Sequence, residues 1–139
     1  MTKLITEWEN SKYLCLSSLL FLLPAIYSYY IEFYYYTIGQ CIMCFISINY
    51  WRKPQYDYRR YIDMFYATLC IIYAIYLTSY VMHNIILLGL WLSVVYNYYL
   101  SNKYYYNHNN IWLKYHIMFH ISCMFLQLYL FILHHKLRK

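Results

Sequence analysis

From residue 64 to residue 102 the chain carries no Asp, Glu, Lys or Arg. As a single α-helix these 39 residues would measure about 58 Å, nearly twice the roughly 30 Å hydrocarbon thickness of a bilayer. The stretch therefore reads as two membrane-crossing helices with a turn between them, most simply at Met82-His83-Asn84. Three further uncharged runs, 13–31, 33–51 and 115–133, hold 19 residues each, close to the ~20 that a span requires. The pattern predicts an all-α, polytopic transmembrane helix bundle of about five helices, over 13–31, 33–51, 62–82, 84–101 and 112–133, in one domain covering 1–139. Only Glu32 separates the first two runs, so they are expected to form a tight hairpin, and Pro24 is expected to kink the first. That first run resembles a signal peptide in position. Glu7 and Glu9 in its N-terminal flank, and the lack of an A-x-A site after it, favour a retained helix.

Composition agrees. The chain is 63% hydrophobic and 12% charged, against roughly 25% charged residues in soluble domains. So few charges could not cover the surface of a water-soluble fold. A net charge of +6 invites a nucleic-acid reading. The basic residues, however, sit at the ends of the apolar runs, where loop charge and anionic headgroups place them. A lipid bilayer is thus the expected partner and nucleic acid is not. With five spans, Lys3, Lys12, Arg52, Lys53, Arg59, Arg60, Lys103 and Lys114 share one side, and Lys136, Arg138 and Lys139 the other. The N-terminus is accordingly expected in the cytoplasm. All five cysteines fall inside apolar runs and read as free thiols, with Cys41 and Cys44 as small helix-packing residues.

Ionisable groups are costly in hydrocarbon and mark candidate sites. His116 and His120 are four residues apart, so they share a helix face, which Cys123 and Gln127 continue. Two imidazoles so spaced can reach one divalent metal, and equally can hydrogen-bond neighbouring helices. In an antiparallel bundle the end of the second helix and the starts of the third and fifth meet at one membrane face. Ser47, Trp51, Asp63, His116 and His120 should then gather in one leaflet. Other polar and small residues read as packing: Ala67, Cys70, Ala74 and Thr78 on the third helix, and Gly89, Ser93 and Asn97 on the fourth. His83, His134 and His135 are expected at the opposite face as interfacial histidines, with haem ligation by His83 and His134 as the alternative.

Ser47-x-x-x-Trp51, then Asp63 in Arg60-Tyr61-Ile62-Asp63, then His116-x-x-x-His120 stand in the order of a known pattern. The pattern resembles the CREST superfamily of membrane hydrolases: alkaline ceramidases, hemolysin III-like proteins and adiponectin/progestin receptors. There one helix ends S-x-x-x-H, an Asp opens the next, and the last carries H-x-x-x-H. The resemblance covers residues 33–133 and rests on these short motifs. It implies Zn2+ bound by His116 and His120, with Ser47 polarising a substrate carbonyl and Asp63 orienting or deprotonating water. It also implies a zinc-dependent lipid amidase or esterase acting at the cytoplasmic interface. The chain departs from the family in having Trp51 at the first metal-binding His, and about five helices where the family has seven. Cys44, His108 or Asp63 are the candidates for the missing ligand. The alternatives are a non-catalytic small multi-pass protein serving viral or organellar assembly, and a viroporin-like channel with proton-sensitive histidines.

Overall fold

Helix formation follows the apolar runs and stops where the chain offers caps. A computed structural model of the protein describes residues 5–81 and 84–138. His83, part of the turn expected at 82–84, and the terminal Lys3 and Lys139 lie outside the described residues. The first helix begins as α1 (Trp8–Ser18), tightens to a 3₁₀ turn over Leu19–Phe21 and resumes as α2 (Leu22–Tyr30). The tightening falls just before Pro24, which has no N–H for the Leu20 carbonyl and whose ring crowds it. Four more helices follow: α3 (Tyr34–Trp51), α4 (Tyr58–Ser79), α5 (Ile85–Tyr106) and α6 (Trp112–Arg138). The all-α bundle expected from the sequence is thus the fold. α5 and α6 run one turn or more past their expected ends.

Among the described residues, four helices are long and apolar enough to cross a membrane: Trp8–Tyr30, Tyr58–Ser79, Ile85–Tyr106 and Trp112–Arg138. This suits an integral, multi-pass membrane protein. α3, at 18 residues, is not among these four. Its polar side chains are turned inward, for Gln40 and Ser47 are both buried.

Two helix connections close with the same device. The Phe33 N–H donates to the Ser28 carbonyl at 2.7 Å and the Glu32 N–H to that of Tyr29 at 3.0 Å. After α5 the Asn109 N–H reaches the Tyr104 carbonyl at 3.0 Å and the His108 N–H that of Tyr105 at 3.1 Å. This bonding caps the last carbonyls of a helix and requires a left-handed residue, normally glycine. Here Glu32 (φ 61°) and His108 (φ 52°) take that position. α4 is capped at its N-terminus by Asp57, which accepts from the Arg59 N–H at 3.0 Å and pairs with its guanidinium at 2.7 Å. Arg59 holds the Asp57 carboxyl below its usual range. Asn84 caps α5, accepting from the Ile86 and Leu87 N–H groups at 3.0 and 3.2 Å.

The elements assemble with the end of α3 and the starts of α4 and α6 at one end of the bundle. There the Ile5 N–H donates to the Pro54 carbonyl at 3.0 Å, and the Tyr56 and Tyr105 hydroxyls meet at 2.9 Å. Leu14, Tyr50, Trp51 and Trp112 form the apolar cluster of that end. The opposite end is built by Ala74, Leu77, Leu87, Leu130 and Phe131. Thr78 accepts there from Trp91 Nε1 at 3.0 Å, and Asn84 Nδ2 donates to the Tyr129 hydroxyl at 2.9 Å. His134 lies at this end, its Nε2 3.1 Å from the Leu77 carbonyl.

Candidate functional site

Helical spacing places His116 and His120 one turn apart on the inward face of α6, and their rings pack 5.0 Å apart, centroid to centroid. His120 is buried. Each imidazole is held by a serine from another helix. His120 Nδ1 lies 2.8 Å from Ser17 Oγ of α1, and His116 Nδ1 lies 3.2 Å from Ser101 Oγ of α5. Neither Nε2 has a hydrogen-bond partner among the described residues. Both serines are buried, at 6% and 3% exposure, so water does not compete for these bonds.

Ser47 and Asp63 come to the same place from α3 and α4. With His116 and His120 they line a chamber of about 290 Å³, which Cys123 and Gln127 extend along α6. Ser47 is almost fully buried, its hydroxyl 3.0 Å from that of Ser18. It lies against the Asp63 carboxyl. Asp63 Oδ1 is buried and makes no hydrogen bond. A charged or polar oxygen left without a partner in an apolar surrounding is costly and is retained where something else uses it. A smaller cavity of about 130 Å³, lined by Arg60, Asp63, Ser101 and His116 among others, adjoins the chamber on the side of the loops.

Trp51, at the end of α3, packs beside the histidines' helix. Its indole packs edge-on against His116 at 5.0 Å and beside Trp112 at 6.4 Å. The position therefore touches His116, without lining the chamber, and brings a ring that cannot coordinate. Of the substitutes, His108 is exposed in the turn after α5, and Cys44 is buried in a cluster with Phe21 and Met43. Neither lines the chamber. Among the described residues no three His, Cys, Asp or Glu side chains form a group able to hold a metal ion. What the chamber offers a metal is two imidazoles with unpartnered Nε2 atoms, each with a serine hydroxyl at Nδ1, and no third such ligand among the described residues.

The polar residues read as packing divide. Ser93 meets Ser122 at 2.8 Å and Asn97 Nδ2 donates to Ser122 at 3.2 Å, joining α5 to α6. Gly89 does not serve close approach: it faces outward, and a Cβ there would meet nothing within 4 Å. All five cysteines are free. Ser17 and Ser101 were not singled out by spacing. The signal available was a Ser17-Ser18 pair in an otherwise apolar run, which says nothing of the helix it will face. Compared with known proteins, the chain matches no family model, no curated protein and no solved structure.

Proposed function

We propose that the protein is a membrane-embedded hydrolase that cleaves an amide or ester of a lipid, as the CREST hydrolases it resembles do. One observation carries this reading: Ser47, Asp63, His116 and His120, from three helices, line one chamber in which Asp63 Oδ1 has no partner. Asp63 is placed to take a proton from water as the water oxygen adds to the lipid carbonyl carbon. It then returns that proton to the departing nitrogen or oxygen as the C–N or C–O bond breaks. Ser47 donates its hydroxyl to the carbonyl oxygen. His116 and His120 would hold Zn2+ through their Nε2 atoms; a bound zinc would lower the pKa of a coordinated water.

The test uses the full chain in detergent micelles, with a fluorescent N-acyl sphingoid and a fluorescent acyl ester as probes. Turnover of one of them is expected, falling at least about 100-fold in Asp63→Asn, the scale of general acid–base catalysis. Bound zinc by elemental analysis should be lost in His116→Ala plus His120→Ala. Absence of both turnover and zinc in the wild type would overturn the reading. Trp51 favours a second one in that case, a non-catalytic multi-pass protein that keeps the chamber without the chemistry.

We also infer that the N-terminus faces the cytoplasm, since among the described residues Lys12, Arg52, Lys53, Arg59, Arg60, Lys103 and Lys114 lie towards the end of the bundle where the first helix starts, against Lys136 and Arg138 at the other. An epitope added before residue 1 should resist protease in sealed right-side-out vesicles. Cleavage there would reverse the assignment.

A further inference from the structure

Ser17 touches two groups with one hydroxyl. Its Oγ donates to the Leu14 carbonyl at 3.0 Å and lies 2.8 Å from His120 Nδ1. A hydroxyl has a single proton and a carbonyl can only accept, so one proton serves both contacts when Leu14 takes it and the serine oxygen accepts from His120. In that arrangement Nδ1 carries the one hydrogen of the neutral imidazole and Nε2 keeps its lone pair. His120 lines the chamber and Ser17 does not, so the serine holds the ring from behind.

We propose that Ser17 is a positioning residue that locks His120 in the Nδ1–H tautomer and leaves Nε2 as the basic atom offered to the chamber. A serine nucleophile beside histidine would donate to the ring. Here the polarity is reversed, so Ser17 is not a nucleophile in waiting. His116 differs: Ser101 makes no second hydrogen bond among the described residues, so its hydroxyl is free to turn either way. The two imidazoles are thus fixed to different degrees. What His120 Nε2 binds rests on the hydrolase reading; the tautomer does not.

The test is nitrogen-15 NMR of histidine-labelled full-length protein in nanodiscs, with His120 assigned by its loss in His120→Gln. The expected wild-type spectrum shows a protonated Nδ1 and an unprotonated Nε2 for His120. Ser17→Ala should release the ring, giving the Nε2–H form or a mixture, while Ser17→Thr retains the wild-type pattern. Ser18 still donates to the Leu14 carbonyl at 2.8 Å in the alanine variant, so the helix keeps that bond. An Nε2–H tautomer in the wild type overturns the proposal whether or not the variants fold, as does an unchanged tautomer in folded Ser17→Ala. Zinc titration of the same samples should show about 10- to 100-fold weaker binding in Ser17→Ala, the cost of losing a group that orients a ligand. The expected tautomer in a wild type that neither binds zinc nor hydrolyses either probe would sink the hydrolase reading and leave the role of Ser17 standing.

Discussion

An indole has one nitrogen, an N–H donor, and so offers a metal no lone pair. Trp51 is 5% exposed, edge-on to His116, and its Nε1 makes no hydrogen bond. Position 51 thus touches His116 and lines the smaller adjoining cavity, without the lone pair that a third zinc ligand would need. Trp51→His should supply it. Zinc affinity, measured by calorimetric titration, is expected to tighten at least about tenfold, in line with what one well-placed group contributes at a metal site. Thermal stability should fall, because Tyr50, Trp112 and His116 lose the ring they pack on. Unchanged zinc affinity in a folded variant would show that position 51 does not reach the pair. At this scale the sequence was informative about Ser47, Asp63, His116 and His120, because helical spacing and antiparallel order suffice to gather them. It was silent on Ser17 and Ser101, since a serine in an apolar helix reveals its partner only once neighbouring helices are packed.

Among the elements, the apolar runs gave the helices and the polar interruptions gave their ends. What they could not give were turns built without glycine. Glu32 and His108 adopt φ values of 61° and 52° because the carbonyls ending α2 and α5 must be capped. His108, a candidate ligand by sequence, is used as a turn. Gly89 is the reverse case, a glycine read as a packing device that faces outward with open space around it. Its flexibility then only weakens α5. Gly89→Ala is expected to stabilise the protein by about 0.5–1 kcal/mol, the usual difference between the two residues within a helix. A rise of a few degrees in melting temperature in detergent would show it. A fall would mean that Gly89 is covered by a partner in the membrane.

For the molecule as a whole, short connections made neighbouring helices antiparallel, and this placed the chamber at the end that holds the N-terminus and the loops after α3 and α5. Which helices touch across the bundle was not legible, because apolar faces in lipid carry little preference for one neighbour over another. The decisive crossing joins residues 103 positions apart, where Ser17 meets His120. That pairing sets a timetable for biogenesis. α1 to α5 can enter the bilayer in succession, but until α6 arrives neither imidazole is present and the serine that holds one of them has nothing to hold. Ser47 and Asp63 are in place on α3 and α4 before then, and the chamber is complete only when the last helix closes on the first.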